Sequence, residues 1–360
     1  MAAYKTQAGP PIGLPIPKRA ADLRFFKMPV TDPTLPPASY VTGALWGLFA
    51  ISIWVGWILL TRFGVTTSLP PFDLTALRFG CAGALLLPIV IRRGFAVRQV
   101  GLPLLAAICA GAGVPYVIIA SAGLQFAPAA HAGALIPGTM PLWTAVLAMA
   151  FLHERISGSR RIGLLLIPVG IVIFVGAGLT NLAAGWWRGH LLFLLAALCW
   201  ASFTVAMRRA GRQGLTPLHA AAIVSVVSAA WYLPVYVLVL PHRLTAAPWG
   251  MLVIQTVYQG VFVAIVSLYA YTRAVGILGA SLGASFASLV PVLAMLTAIP
   301  LLGEIPKPLD YVGIAAVTLG VLLSSGAYQA LVTAMAPAPT RKTHLDPGMA
   351  HAKAPSSPEN

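Results

Sequence analysis

Apolar residues along the chain are gathered into ten runs of roughly twenty residues, joined by short polar or charged connections. A helix of about twenty residues crosses the ~30 Å hydrocarbon core of a bilayer, because each residue advances it by about 1.5 Å. The pattern therefore predicts an all-α integral membrane protein with ten transmembrane helices and the lipid bilayer as its solvent. The predicted spans are residues 41–62, 72–91, 102–126, 128–152, 162–179, 189–208, 217–240, 249–272, 279–302 and 309–331.

The order of residues in the first half of the chain recurs in the second half. An offset of 150 positions pairs, without a gap, Gly133 with Gly283, Pro141 with Pro291, Glu154 with Glu304, Gly163 with Gly313 and Gly170 with Gly320. An offset of 146 pairs Trp54 with Trp200, Arg62 with Arg208, Pro71 with Pro217 and Pro88 with Pro234. Each half holds five predicted helices, an odd number, so the second copy enters the membrane from the opposite face. We predict two inverted five-helix repeats at 41–179 and 180–336, flanked by flexible cytoplasmic tails at 1–40 and 337–360.

The composition supports a membrane protein and argues against several other classes. Of the 360 residues, 59% are hydrophobic and 9% are charged, whereas a soluble domain is about half apolar and a quarter charged. The net charge of +15 comes from bases in loops and tails between apolar runs, so we expect no nucleic acid partner. The three cysteines lie inside apolar runs and offer neither a disulfide framework nor a zinc spacing. We expect no metal and no cofactor.

The basic residues also predict the orientation of the chain in the membrane. With the N-terminus inside, 18 of the 23 Lys and Arg residues fall on the inner side and 4 on the outer side, while Arg78 lies within a span. Because Lys and Arg are enriched in cytoplasmic loops, both termini are predicted to be cytoplasmic. The expected location is the cell inner membrane.

Short motifs in both halves resemble those of a known family. Leu-Arg-Phe at 77–79, Leu-His-Glu-Arg at 152–155 and Leu-Gly-Glu at 302–304, within ten helices in two repeats, resemble the drug/metabolite transporter superfamily in its EamA-type bacterial branch. The likeness covers residues 41–331. The chain departs from the family pattern at His153, where Gly is usual, and at Ile305, where Arg or Lys is usual.

The resemblance implies a secondary transporter that exports or exchanges small metabolites such as amino acids. It places the substrate cavity between the two halves, near the centre of the membrane. An inverted repeat gives the halves two nearly equivalent packings, which is the physical basis of alternating access. The oligomeric state stays open, with a homodimer among the alternatives.

The helix-end acids Glu154 and Glu304 have two interpretations. Each could belong to a gate or ion-pair latch, and Glu154 has Arg155, Arg160 and Arg161 nearby in the sequence. Each could instead be an interfacial acid that orders the turn into the next helix. Since exposed ion pairs contribute only ~0–1 kcal/mol, the second interpretation is favoured.

Two titratable residues inside predicted spans are candidates for a polar or proton site. Arg78 needs a protein or water partner, because a charge at a helix centre costs ~2.5–3.5 kcal/mol. Asp73 does not share its helix face well, and structural support is slightly favoured over a functional role. His131 could bind substrate, carry a proton or pack as a hydrogen-bonded core residue, and the functional and packing interpretations are evenly weighted.

The acids bear on the energy source of transport. None of the eight Asp and Glu residues lies near the middle of a predicted span, so we expect no buried carboxylate of the kind that coupled carriers use. Facilitated export or exchange follows from this expectation, or coupling through His131.

A set of aromatic and polar residues falls at the predicted mid-depth and is the candidate substrate site. Aromatic faces with a few hydroxyl and amide groups suit a small metabolite that is partly apolar or zwitterionic. Helix packing is the alternative role for each. The candidates are Trp54, Tyr116, Thr139, Trp143, Trp200, Tyr258 and Gln259.

Two other classes of function compete with a carrier. A membrane-embedded enzyme needs a converging nucleophile, base or metal ligands, and the sequence contains no such set. The Gly-Ala-Ser-Leu-Gly stretch at 279–283 has the spacing of a nucleophile elbow, but it opens a membrane helix rather than following a strand. A channel or scaffold protein without carrier turnover is the other alternative.

Overall fold

The structure is a computed structural model that describes residues 37–154, 156, 158–179 and 182–326, and every regular element in these ranges is helical. The all-α prediction is confirmed for this part of the chain. Nearly all of the two predicted tails lies outside the described residues, as does the end of the last predicted span. The long helices are α1 (Pro37–Thr67), α2 (Pro71–Arg93), α3 (Leu102–Phe126), α4 (Ala129–Leu152), α5 (Gly158–Leu179), α6 (Trp186–Arg212), α7 (Pro217–Leu238), α8 (Trp249–Leu278), α9 (Phe286–Leu302) and α10 (Pro308–Ser324).

Seven helices in the described ranges, α1–α4 and α6–α8, are long and apolar enough to cross a membrane. The apolar helices α9 and α10 are shorter. Helix α5 has 22 residues but carries Arg160 and Arg161 near its start. Seven of the predicted spans therefore correspond to helices of spanning length, and the full count of ten stays a prediction.

The helix bundle has two ends, which we name after the acids found there. At the Glu304 end, Glu304 contacts Arg62 near the end of α1 and Ala129 at the start of α4. At the Glu154 end, Glu154 follows α4 and contacts Arg208 near the end of α6. Helices α1 and α6 thus run in opposite directions, and so do α4 and α9.

Two helices are interrupted along their length. Helix α3 breaks at Gly113, two residues before Pro115, whose missing N–H removes a helical hydrogen bond. Helix α8 contains no proline, yet its stretch Tyr258–Val266 is π-helical. Wider turns of this kind are frequent at functional sites. Both breaks place irregular backbone inside the bundle, where the central side chains lie.

Helices α5 and α10 pack closely through four glycines, two on each helix, that belong to the sequence repeat. A Cβ added at Gly163 would lie 2.6 Å from the carbonyl oxygen of Gly320, and one at Gly320 would lie 2.9 Å from that of Gly163. A Cβ at Gly170 would lie 3.0 Å from the carbonyl oxygen of Gly313. Small residues at such positions let two helix backbones approach closely. The two helices therefore bind the first half of the chain to the second.

Candidate functional site

Five side chains from four helices meet next to the break in α3. We name them the central aromatic cluster: Trp57 of α1, Arg78 of α2, Tyr116 of α3, and Trp200 and Phe203 of α6. The Tyr116 ring stacks on Trp57 at 5.9 Å and lies 4.9 Å from Trp200, which lies 5.2 Å from Phe203. The guanidinium carbon of Arg78 lies 5.9 Å from the centre of the Trp57 ring. The cluster therefore joins a buried cation to aromatic faces from both halves.

Arg78 has aromatic neighbours and no acidic partner in the described part of the chain. Its side chain is 8% exposed, and its guanidinium carbon also lies 5.8 Å from the Phe79 ring. Asp73 does not pair with it, because its carboxylate accepts hydrogen bonds from the Tyr236 hydroxyl at 2.6 Å and the Arg243 backbone N–H at 2.9 Å. Cation–π contacts offset only part of the cost of burying a charge. The positive charge is thus available to a negatively charged ligand group.

Two of the other predicted cavity residues connect α1 to α8. The rings of Trp54 and Tyr271 lie 5.1 Å apart, and the Tyr258 hydroxyl donates to the carbonyl oxygen of Ile53 at 3.1 Å. Tyr258 belongs to the π-helical stretch of α8. These contacts bind the first half to the second beside the central aromatic cluster.

The remaining predicted cavity residues have mixed surroundings. The Gln259 amide donates to the Thr61 hydroxyl at 3.1 Å and to the Gln255 side-chain oxygen at 3.2 Å, and its own oxygen is buried without a partner. Thr139 donates to the carbonyl oxygen four residues earlier at 2.6 Å. The Trp143 indole N–H is buried and has no hydrogen-bond partner. Thr139 is satisfied within its own helix, whereas Gln259 and Trp143 keep unpaired polar atoms.

Trp57 was missed by the sequence analysis, although it links Arg78 to Tyr116. Counting to the middle of the first predicted span selects Trp54. Trp57 lies three residues further on and shares a face of α1 with it, since residues three apart are neighbours on a helix. The three-residue spacing between Trp54 and Trp57 could have identified Trp57 as a second candidate.

The Glu304 ion pair is compact and largely buried. The Arg62 Nε donates to Glu304 Oε1 at 2.7 Å, and the backbone N–H of Ala129 donates to Glu304 Oε2 at 2.7 Å. The Arg62 Nη1 also donates to the carbonyl oxygen of Leu124 at the end of α3. The two charged side chains are 18% and 17% exposed. A carboxylate at a helix start is stabilised by the free N–H groups there, so Glu304 holds α4 and α1 together.

The Glu154 ion pair is looser and more exposed. The Arg208 Nη1 lies 3.3 Å from Glu154 Oε2, and the Arg212 Nη2 lies 3.9 Å from Glu154 Oε1. The side chains of Glu154 and Arg208 are each 41% exposed. Since the repeat pairs Arg62 with Arg208 and Glu154 with Glu304, the two ion pairs are related by the repeat.

The partners expected for Glu154 differ from those observed. Arg155 lies outside the described residues. The Arg160 Nε donates to the carbonyl oxygen of Ser324 at 2.9 Å, and no ion pair joins Glu154 to Arg160 or Arg161 in the described part. The observed partners come from α6 because helix packing brings its end beside Glu154.

A second buried polar group lies near the Glu304 ion pair. His131 Nε2 lies 3.1 Å from Asp310 Oδ1, and His131 Nδ1 lies 3.0 Å from His190 Nε2. Asp310 Oδ2 accepts a hydrogen bond from the backbone N–H of Lys307 at 2.7 Å. We name His131, His190 and Asp310 the His–Asp cluster. It joins α4, α6 and α10.

The expectation that the chain lacks a buried carboxylate is wrong. Asp73 is 0% exposed and Asp310 is 3% exposed. Both lie in the first turn of a helix, where the sequence suggests a wet interface. Loops and neighbouring helices cover them, and backbone and side-chain donors satisfy them. His131 is paired with Asp310 and His190.

Two cavities lie toward the Glu304 end of the bundle. One of about 250 Å³ is lined in part by Arg62, His131, Trp186, Glu304 and Asp310. It therefore contacts both the Glu304 ion pair and the His–Asp cluster. The other, of about 390 Å³, lies between the α1–α2 connection, α3 and the segment before α8. Neither is lined by the predicted mid-depth residues.

These features define a multi-pass helical membrane protein with a buried cationic and aromatic centre between two related halves. The EamA-like transporter family model matches the chain twice, over residues 41–176 and 187–326. The chain belongs to the EamA-like transporter family. The two matches begin 146 residues apart and end 150 residues apart, the same offsets as in the sequence repeat. The resemblance to drug/metabolite transporters is confirmed, and the family consists of transporters rather than enzymes.

Several relatives are named as transporters. The chain is 28% identical to the uncharacterized transporter YyaM of Bacillus subtilis over 54% of its own length and 64% of that protein. It is 27% identical to the uncharacterized inner membrane transporter YedA of Escherichia coli over 78% of its length and 89% of that protein. It is 32% identical to the aromatic amino acid exporter YddG of Ancylobacter novellus over 48% of its length and 60% of that protein.

A solved structure shares the fold. One crystal structure covers 81% of this chain and 99% of its own chain, with 24% sequence identity and a TM-score of 0.53. At this identity the likeness concerns the helical architecture.

Proposed function

We propose that this protein is a secondary transporter for small metabolites that combine an aromatic or apolar body with a carboxylate, as aromatic amino acids do. The Arg78 guanidinium, which has no acidic partner in the described residues, lies beside the clustered rings of Trp57, Tyr116 and Trp200 and carries the proposal. A guanidinium binds a carboxylate through two parallel N–H donors, and aromatic faces bind an apolar ring. The likeness to an aromatic amino acid exporter supports the same substrate class.

The proposed architecture is ten transmembrane helices in two inverted five-helix repeats. It is supported by a contact between the two halves whose counterpart under the repeat is also present in the structure. Arg62 contacts Glu304, and their counterparts Arg208 and Glu154 also contact each other. Opposite directions of α1 and α6 agree with inversion. The interrupted helices α3 and α8 are the third helix of each half, and helices broken at matching positions of two repeats often frame a transporter binding site.

The unequal ion pairs at the two ends support the proposed alternating access. The Glu304 ion pair is buried and supported by two backbone contacts, whereas the Glu154 ion pair is half-exposed and long. A structure held closed at one end and weakly joined at the other corresponds to one of the two packings of an inverted repeat. In the other packing the Glu154 ion pair would tighten and the Glu304 ion pair would open.

The proposed location is the cell inner membrane, with the Glu154 end facing the cytoplasm. Single cysteines replacing the exposed residues Arg98 and Arg160 should react with a membrane-impermeant thiol reagent only from the cytoplasmic side. A cysteine replacing Ile305, which is 83% exposed at the Glu304 end, should react only from the outside. The reactions are measured in cells and in inverted vesicles, in a background in which Cys81, Cys109 and Cys199 are replaced. Reaction of all three positions from one side would contradict the inverted arrangement.

The transport function is tested by counterflow of L-phenylalanine in proteoliposomes. Vesicles loaded with unlabelled L-phenylalanine should take up the labelled compound transiently and above equilibrium, with a rate that saturates. Counterflow requires a binding site that turns from one side to the other while occupied, which neither a channel nor a scaffold has. Linear, non-saturating flux would contradict the carrier and support a channel. Substitution of Trp200 by Ala should lower counterflow while protein abundance in the membrane is unchanged.

A membrane-embedded enzyme is the second class to compare. The transporter relatives argue against it, and chemical conversion of the labelled compound during counterflow would argue for it. The same chromatographic analysis of the vesicle contents decides between transport and conversion.

A further inference from the structure

The His–Asp cluster contains three titratable side chains from both halves of the protein. His131 belongs to α4 in the first half, and His190 and Asp310 belong to α6 and α10 in the second half. Their exposed fractions are 1%, 0% and 3%. Ionisable groups buried in a membrane protein are rare, because an unpaired charge there is costly. A cluster of three requires a specific arrangement of protons.

When Asp310 is ionised and both histidines are neutral, the two hydrogen bonds allow one arrangement of protons. The Asp310 carboxylate only accepts, so His131 Nε2 carries the proton between them at 3.1 Å. A neutral imidazole has one N–H, so His131 Nδ1 is an acceptor and His190 Nε2 donates to it at 3.0 Å. His190 Nδ1 is then left with a free lone pair. It is buried and has no hydrogen-bond partner among the described residues.

In this state the cluster has a net charge of minus one and one vacant proton position. One added proton can reside on Asp310, His131 or His190, and His190 Nδ1 carries a hydrogen in each case. Proton shifts along the two existing hydrogen bonds interconvert these forms without breaking either bond. A single proton therefore neutralises a buried negative charge and leaves the hydrogen bonds in place.

None of the groups packed around the cluster fills the vacant proton position on His190. The Phe174 and Trp186 rings pack on His131 at 4.9 Å and 5.2 Å. The Lys307 ammonium is exposed and lies 4.3 Å from the centre of the Trp186 ring. The charged groups of α1 and of the segment after α9, Arg62 and Glu304, neutralise each other. Asp310 is therefore the buried charge of the cluster, and Lys307 is an exposed positive charge at its edge.

A metal ion is a poor occupant of the same residues. Both ring nitrogens of His131 are engaged in hydrogen bonds, and within the described ranges no group of three His, Cys, Asp or Glu residues is placed to hold a metal ion. The proton is the ligand that fits the vacant position.

We infer that the His–Asp cluster binds the proton that drives transport, an inference that rests on the proposed carrier function. The cluster spans the two halves at the Glu304 end, and the cavity of about 250 Å³ brings its Asp310 and His131 to the same space as the Glu304 ion pair. With the Glu304 end closed and the Glu154 end open, the buried cluster takes up its proton from the Glu154 side and is held in its protonated, neutral form. Opening the Glu304 end separates His131 from its two partners, exposes Asp310 to water and releases the proton there. Proton binding is thereby coupled to which end is open.

The experiment compares L-phenylalanine counterflow with accumulation driven by a pH gradient in proteoliposomes. The variant is His190→Gln, because the glutamine amide can still donate to His131 Nδ1 but has no second ring nitrogen to accept a proton. Wild-type protein should accumulate L-phenylalanine up to about tenfold for a gradient of one pH unit, which is the limit for one proton per cycle. The variant should retain counterflow and lose this accumulation. Accumulation when the outside is more acidic indicates symport, and accumulation when the inside is more acidic indicates antiport.

The matched control is His219→Gln. His219 is also a buried histidine, but its Nε2 lies 2.8 Å from the carbonyl oxygen of Gly94 outside the cluster. This variant should keep both counterflow and gradient-driven accumulation. Gradient-driven accumulation by His190→Gln at the wild-type level would overturn the inference. So would wild-type protein that performs counterflow without responding to the gradient, and in that case the carrier function stands.

A measurement without substrate covers the case in which L-phenylalanine is not transported. Nitrogen-15 labelled histidine in the purified protein reports each ring by NMR as the pH is changed. His131 and His190 should titrate together in the wild type, since interacting groups share their titration steps. In His190→Gln the shared step should disappear. If the two rings titrate independently in the wild type, the inferred proton site is wrong whatever the substrate.

Discussion

Replacement of Arg78 by Gln is expected to weaken binding of L-phenylalanine by about 10- to 150-fold, because a hydrogen-bonded charge contributes about 1.5–3 kcal/mol. The effect should fall on substrates that carry a carboxylate. L-phenylalanine amide has the same ring and lacks the negative charge, so wild-type protein should bind it weakly. The Gln variant should bind both compounds with similar affinity. Affinity is measured by the inhibition of labelled L-phenylalanine counterflow by each unlabelled compound, and by the thermal shift that each compound causes in the purified protein.

A purely structural Arg78 gives a different result. In that case the variant loses thermal stability or abundance, and its preference for L-phenylalanine over the amide is unchanged. The matched control is Arg188→Gln. The Arg188 guanidinium carbon also lies over two aromatic rings, at 5.4 Å from Trp187 and 5.8 Å from Phe126, but its side chain is exposed. This variant should keep wild-type affinity and preference.

Opening of the Glu304 end is expected when its ion pair is broken. In Glu304→Gln, a neutral amide replaces the carboxylate that contacts Arg62 and Ala129. The free energy difference between the two packings should then shift by about 1–3 kcal/mol toward the one in which the Glu304 end is open. A cysteine replacing Ala130, which lines the cavity there, should then react about fivefold faster or more with a small uncharged thiol reagent. Because exposed ion pairs contribute ~0–1 kcal/mol, Glu154→Gln should change the same rate by a few-fold at most.

The companion variant Arg62→Gln separates opening from local electrostatics. Loss of the Glu304 charge makes a nearby thiolate easier to form, whereas loss of the Arg62 charge makes it harder. Both variants open the same end, so both should raise the reaction rate of the cysteine. Opposite changes in the two variants would show that the reagent senses only the local charge and would contradict a latch at Glu304.

The helical fold class and the internal repeat could be predicted from the sequence, because both are visible in the order of residues along the chain. The ten apolar runs and the paired residues at offsets of 146 and 150 need no knowledge of packing. The break in α3 follows from Gly113 and Pro115. The π-helical stretch in α8 has no such marker, since its sequence contains neither proline nor a cluster of glycines. It lies where Gly260 packs against Cys81 of α2, a tertiary contact.

The candidate site was predicted only in part, for reasons of geometry. Tyr116 and Trp200 were selected by depth alone, and they meet in the central aromatic cluster. The ion-pair partners of Glu154 and Glu304 were not found, although the repeat already paired Arg62 with Arg208, because sequence order does not say which helix ends meet. His190 was not singled out and Asp310 was counted only among the acids away from the middle of a span, because depth along a helix does not reveal whether a neighbouring helix covers a residue.

The glycine contacts between α5 and α10 bear on how the chain arose. Gly163 meets Gly320 and Gly170 meets Gly313, and the repeat exchanges these two contacts. A surface that contacts its own counterpart in this way is self-complementary, as in a twofold symmetric homodimer. A five-helix ancestor carrying the two glycines could therefore have associated with an oppositely oriented copy of itself before its gene was duplicated and fused.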